Sequence, residues 1–324
     1  MDRFNSKLAP LFEGMIEYKL ALGYALYSYE GILINLDRFC VQHFPNETVL
    51  TKEVVVKWMV KRPNENVRGP MARSHVIRQL GKYLNAVGIE AYILPDKYIG
   101  GKSAFSPYIF TDAELKGLFA AVDKMTRSPQ AAKSIISHIT IPVILRLIYT
   151  CGLRPNEGRE LKCKNVNLNT GEILITGTKK HKERIVVMSD DMLNLCRSYS
   201  IKRSILAPHN EYFFPNPAGG MYSRNWLSYH FNACWEAANP DKAPASLPLV
   251  RVYDLRHRFA SAIINRWLDE QKDLYAMLPY LRAYMGHANF NSTAYYIHLL
   301  PENLVKSAGV DWDRLYDIIP EVGA

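Results

Sequence analysis

Four short segments hold the residue types that phosphodiester chemistry needs. In chain order they are Gly152-Leu153-Arg154-Pro155-Asn156-Glu157, the basic run Lys179-Lys180-His181-Lys182-Glu183-Arg184, then Tyr253-Asp254-Leu255-Arg256-His257, and last Gly286-His287 with Tyr296 nine residues on. Opening a phosphodiester takes phosphorus through a five-coordinate state, and negative charge builds on its non-bridging oxygens. Fixed cationic donors aimed at those oxygens lower the barrier. Arginine suits the task because its planar fork donates bidentately and keeps its charge. Arg154 and Arg256, from separate segments, are the pair expected to clamp a phosphate. The leaving oxygen needs a proton, which a lysine of the basic run can deliver. A tyrosine phenolate is a reversible nucleophile, since its phosphate ester conserves the bond energy for rejoining. A free phenol titrates near about 10, so the cationic site and a nearby base must help remove its proton.

Taken together, these spacings resemble the tyrosine recombinase (phage integrase) family. The Gly-Leu-Arg-x-x-Glu turn is Gly152 to Glu157, and the His-x-x-Arg-His box corresponds to Tyr253 to His257. Lys179 stands three residues before the lysine of a Lys-x-Arg (Lys182 and Arg184), which selects it as the leaving-group acid. The flanking Phe259-Ala260-Ser261 and Tyr296-Ile297-His298-Leu299 agree as well. The resemblance implies metal-free DNA breakage and rejoining through a 3′-phosphotyrosine, with no nucleotide or metal cofactor. It assigns Tyr296 as nucleophile and His287 as phosphate support or proton acceptor, with Glu157, His257 and His298 in supporting places. It also implies double-stranded recombination sites, a dimer per site, a tetramer at synapsis, and accessory proteins or a partner recombinase. A mobile genetic element is the expected context. One position departs from the family: Tyr253 stands where histidine is usual. A neutral hydrogen bond from its hydroxyl is expected in histidine's place. The alternatives are a catalytically inactive DNA-binding paralogue and a type IB topoisomerase-like resolving enzyme.

Composition agrees with a polyanionic partner. The chain has 324 residues, 40 Lys plus Arg against 31 Asp plus Glu, and a net charge of +9. Such a balance favours nucleic acid. The five cysteines are scattered, odd in number and without a Cys-x-x-Cys pair, so neither a disulfide framework nor a zinc site is expected. No convergent Asp/Glu cluster of the two-metal type stands out. The first residues carry no signal-peptide core and no apolar run is long enough to span a bilayer, so a cytoplasmic protein is expected.

The elements that must hold these residues read as mainly α. Residues 1–94 form a helical core-binding domain for DNA, resembling the family's SAM-like module, with helices near 8–20, 28–44, 51–62 and 70–87. A Pro/Gly/Ser-rich linker covers 95–107. Residues 108–324 form the helical catalytic domain with a small antiparallel sheet, the hairpin of 171–189. Thr111 and Glu114 make a capping box that starts it. An apolar helix spans Ile141 to Tyr149, with further helices near 190–206, 222–238, 254–268 and 273–285. Asp254 is expected to cap the helix bearing Arg256. A short helix near Asn291 carries the tyrosines, and a tail helix from Val310 ends the chain. DNA contacts outside the site are expected at Arg73, Arg78, Lys82, Lys180 and Lys182.

Overall fold

The computed structural model describes residues 3–24, 27–63, 65, 68–96, 98, 107–127, 135–176, 183–287 and 293. Two compact units divide the chain, Met1–Phe105 and Ser106–Ala324. Each has a core of its own.

In the first unit the described residues form α1 (Ala9–Ala21), α2 (Tyr27–His43), α3 (Lys52–Met59) and α4 (Arg68–Ala86). Pro10 sits in the first turn of α1, where a missing N–H breaks no helical bond. Thr51 caps α3 by accepting from the Val54 amide at 3.3 Å. Phe12, Met15 and Ile16 of α1 meet Leu33 and Leu36 of α2, Val54, Val55 and Trp58 of α3, and Ile77, Leu80 and Leu84 of α4. These are inward positions at helical spacing, and their burial holds the bundle.

The two arginines of α4 expected at nucleic-acid contacts make bonds within this unit. Arg73 is only 5% exposed. Its guanidinium bonds the Trp58 and Val60 carbonyls at the end of α3 and pairs with Glu65 at 2.6 Å. Arg78 donates to the Leu94 and Pro95 carbonyls at 2.8 and 2.7 Å, and so fastens the segment after α4. Lys82 is exposed. Spacing groups residues on a helix face but does not say which face turns inward. Removing one partner of a buried ion pair costs about 3–5 kcal/mol. Arg73→Met is therefore expected to destabilise this unit by about 3 kcal/mol, read in urea titrations from Trp58 fluorescence. A change under about 0.5 kcal/mol would make Arg73 an ordinary surface residue.

The second unit is built on α5 (Asp112–Arg127), α6 (Ile135–Thr150), α7 (Pro155–Arg159), β1 (Glu172–Ile175), β2 (Arg184–Val187), α8 (Asp190–Leu206), α9 (Arg224–Ala237), α10 (Val252–Asp269) and α11 (Leu274–Met285). Helix α6 is its apolar centre. Ile136, Ile141, Val143, Ile144, Leu145, Leu147 and Ile148 are buried, and α5, α8, α9 and α10 pack around it. It begins at Ile135, ahead of the expected Ile141. Pro142 falls inside this helix, between the buried Ile141 and Val143. No helix among the described residues is long and apolar enough to cross a membrane.

Strands β1 and β2 pair antiparallel, with Ile173 opposite Val186 and Ile175 opposite Arg184. Ile173, Ile175 and Val186 point into the core by strand alternation. Thr111 and Glu114 exchange the two bonds of a capping box, at 2.8 and 3.2 Å. Asp254 stands in the first turn of α10 and not at its N-cap, which is Arg251. Its carboxylate reaches back to the Arg251 amide at 2.8 Å. The capping is done, but from three residues inside.

Candidate active site

The site begins where α6 stops. Gly152 takes a left-handed φ of +59° and turns the chain out of the helix. A Cβ there would lie 2.4 Å from the Phe259 ring, so only glycine fits. Arg154 follows as the N-cap of α7, and Pro155 opens that helix. Glu157, in the first turn, accepts from the Arg154 amide at 2.8 Å and from its Nη1 at 2.7 Å.

Glu157 is shared. Arg184, the first residue of β2, grips both of its oxygens at 2.9 and 2.7 Å. Arg256 of α10 brings Nη1 within 3.9 Å of the same carboxylate. Burial by itself would raise the Glu157 pKa. The bonds and charges of Arg184 and Arg154 outweigh it and hold the carboxyl down at about 2. Glu157 therefore stays ionised at neutral pH.

The other anchor is the end of α11. Gly286 terminates the helix with φ +63°. The last carbonyls of a helix lack helical donors and form the negative end of its dipole. Three successive carbonyls here each meet a different arginine. Arg184 Nε donates to Tyr284 at 2.7 Å, Arg256 Nη2 to Met285, and Arg154 Nη2 to Gly286 at 2.7 Å. Arg256 Nη1 also donates to the Gly152 carbonyl at 2.6 Å. One carboxylate and one helix end thus hold three guanidinium groups side by side. Their side-chain exposures grade from 0% for Arg256 and 9% for Arg184 to 29% for Arg154. Arg154 is the arm that reaches solvent.

His287 follows Gly286 directly. Its Nε2 lies 3.2 Å from Arg256 Nη2, and its Nδ1 lies 2.8 Å from Thr293 Oγ1. Arginine can only donate, so Nε2 accepts. The ring proton then sits on Nδ1 and is donated to the threonine oxygen. The His257 ring lies beside that of Tyr253, tilted by 49° with centroids 5.1 Å apart. Burial alone would lower the Arg154 pKa, but the bond to and charge of Glu157 raise it, and Tyr253 adds to the rise.

Burial, then the charges of Arg256, Arg154 and Arg184, push His287 down to about 3. Burial, then Arg251 and Arg256, push His257 down to about 4. An unfolded histidine titrates near about 6.5. Below that value the unfolded chain binds more protons than the folded one. The stability these groups contribute is complete above the unfolded pKa and is lost as pH falls through the folded values. Urea titrations of the second unit are expected to show a loss of roughly 2 kcal/mol between pH 7.5 and 5.5. The double variant His257→Gln/His287→Gln should flatten that slope, and an unchanged slope would assign it to other groups.

Of the sequence-selected residues, Arg154, Glu157, Arg256 and His287 come together in one cluster, with Tyr253 and His257 alongside. Lys179, Lys180, Lys182, Tyr296 and His298 lie outside the described residues. Sequence reasoning gave no role to Arg184 or Thr293. Arg184 entered it only as a spacing marker. Thr293 carried a faint signal, three residues before Tyr296 in the chain.

The Phage integrase family matches residues 110–303. The y4rE protein of Sinorhizobium fredii, which carries the name integrase/recombinase, is 28% identical over 301 residues, covering 92% of this chain and 93% of that one. The XerH site-specific recombinase, solved in a post-cleavage complex with its palindromic difH substrate, superposes with a TM-score of 0.65. It is 20% identical and the match covers 95% of this chain and 85% of XerH. A lambda integrase tetramer bound to a Holliday junction superposes with a TM-score of 0.60 at 12% identity, over 89% of this chain and 76% of that one. The helical architecture with its two-stranded sheet is the tyrosine recombinase fold. With a match that spans more than half of its residues, the chain belongs to the Phage integrase family.

Proposed function

We propose that this protein is a site-specific recombinase that breaks and rejoins DNA through a covalent 3′-phosphotyrosine. The observation that carries the reading is the convergence of Arg154, Arg256 and His287 from three distant segments. Arg154 meets the scissile phosphate from the solvent side, and Arg256 adds charge from beneath it. Tyr253 supplies a neutral hydrogen bond beside Arg154. The Tyr296 phenol oxygen attacks phosphorus, and its proton passes to His287 Nε2, which gives up its bond to Arg256 Nη2 once the bound phosphate offsets the arginine charges that keep the ring neutral. The bond to the 5′ oxygen breaks, and Lys179 protonates that oxygen. Rejoining reverses these steps, as a 5′ hydroxyl attacks the phosphotyrosine. Every atom and proton is supplied by protein and DNA, so the proposal needs no metal or nucleotide.

The helical unit formed by residues 1–94 is proposed as a DNA-binding domain, 95–107 as a linker, and 108–324 as the catalytic domain. A dimer per site and a tetramer at synapsis fit the lambda integrase tetramer named above. The proposal places this work on a mobile genetic element in the cytoplasm; the integrase name of the Sinorhizobium relative supports its integration part alone.

The test uses a half-site duplex, selected for binding from random-sequence DNA and nicked beside the scissile phosphate so that cleavage traps the adduct. Wild type and Tyr296→Phe are incubated with it in EDTA. A denaturant-resistant adduct from wild type alone is the expected result. Adducts from both would move the nucleophile to Tyr295 or elsewhere. None from either, with the duplex bound, would leave a DNA-binding protein without the chemistry.

A further inference from the structure

Glu157 presents a problem of charge. It orders Arg154 through the backbone amide and Nη1, yet a carboxylate beside a phosphate-binding guanidinium cancels the field that the phosphate should feel. Arg184 is placed to solve it. Its fork covers both oxygens of Glu157 at 2.9 and 2.7 Å, and its Nε is tied to the Tyr284 carbonyl at 2.7 Å. The side chains of both partners are only 9% exposed, so water screens the pair weakly. Gly286 lies against it, since a Cβ there would stand 3.1 Å from Arg184 Nη1. The pair is therefore closed in on the side where the Gly286 carbonyl meets Arg154.

We propose that Arg184 is a positioning residue for strand cleavage: it neutralises Glu157, so that Arg154 and Arg256 keep their charge for the scissile phosphate. This inference rests on the phosphate-clamp reading above. Without Arg184 the carboxylate has two vacated lone-pair faces within reach of Arg154. Arg154 then closes on Glu157 as a bidentate pair and gives up its solvent-side arm. The cluster of three arginines and one carboxylate drops from two net positive charges to one. Removing both members of the Arg184–Glu157 pair restores the two.

The measurement is the rate of adduct formation on the nicked duplex, with duplex affinity measured beside it. Affinity is spread over many phosphates, so Arg184→Met should leave it within about threefold of wild type. The rate should fall about a hundredfold, the loss typical of one transition-state donor. Arg184→Lys keeps the charge and should recover most of the rate. The double variant Arg184→Met/Glu157→Gln should be at least tenfold faster than Arg184→Met alone. A role in packing alone makes opposite predictions: lysine fails with methionine, and the second substitution makes matters worse. Either result would overturn the inference. Arg154→Ala in the same assay separates the two levels. If it cleaves at the wild-type rate, the clamp itself is wrong. If it is slow while Arg184→Met is fast, only the assignment of Arg184 falls.

Discussion

Arg256→Ala is expected to lower the rate of covalent adduct formation by 10²- to 10³-fold and to destabilise the second unit by about 2–5 kcal/mol. Both effects come from one side chain with no exposed surface. Truncation orphans the Gly152 and Met285 carbonyls, which lose the donors they meet in the interior. Each buried acceptor left unsatisfied costs about 1–3 kcal/mol. The same truncation removes the donor beside His287 Nε2 and so frees the tautomer. Lysine does not repair this. Its single ammonium cannot span acceptors on the Gly152 turn and on α11 as a planar fork does. Arg256→Lys should regain part of the stability and little of the rate. Urea unfolding and the adduct assay, run at a temperature where the variants are folded, check the two separately. A lysine variant within threefold of wild type in rate would show that Arg256 acts by charge alone.

Glu157→Ala should produce the largest loss of stability of any single change at the site. It strips the common counter-ion from Arg154, Arg184 and Arg256 at once. Breaking a buried pair from one side costs about 3–5 kcal/mol. At about 2–4 °C per kcal/mol for a unit of this size, the melting temperature falls by roughly 10 °C. The three cations left together should collect an anion from solution. Sulfate in the millimolar range is therefore expected to raise the melting temperature of the variant more than that of wild type. A variant that melts within about 2 °C of wild type would mean that the helix end of α11 holds the arginines without help. The carboxyl is depressed to about 2 in the fold. Its own contribution is complete above the unfolded carboxyl pKa and disappears as pH falls through the depressed value.

Much of this was legible in local text. The Thr111–Glu114 capping box, the hairpin around 171–189 and the helix that bears Arg256 follow from short-range signals, because capping and alternation act over a few residues. The segments that supply Arg154, Arg256 and His287 could be named from spacing. Their meeting could not be derived from it, because the contacts span 104 and 132 residues. The same limit hid Arg184, whose partners are a carboxylate 27 residues upstream and a carbonyl 100 residues downstream. The inward place of Arg73 was hidden for another reason. A basic side chain on an amphipathic helix normally faces water, and only the Glu65 carboxylate and the open end of α3 make an inward place for it.

The run of carbonyls at Tyr284, Met285 and Gly286 also bears on when the molecule becomes armed. Synthesis runs from the N-terminus, and each arginine that docks on this run is made long before its acceptor. A nascent chain that has released α7, β2 and α10 but not the end of α11 carries three guanidinium groups with their last acceptors missing. Tyr296 emerges only nine residues after His287. The order of synthesis therefore delays assembly of the proposed phosphate-binding cluster until the proposed nucleophile is about to be made. On the proposed function, a fragment ending before Tyr284 lacks both, and is expected to hold DNA without cutting it.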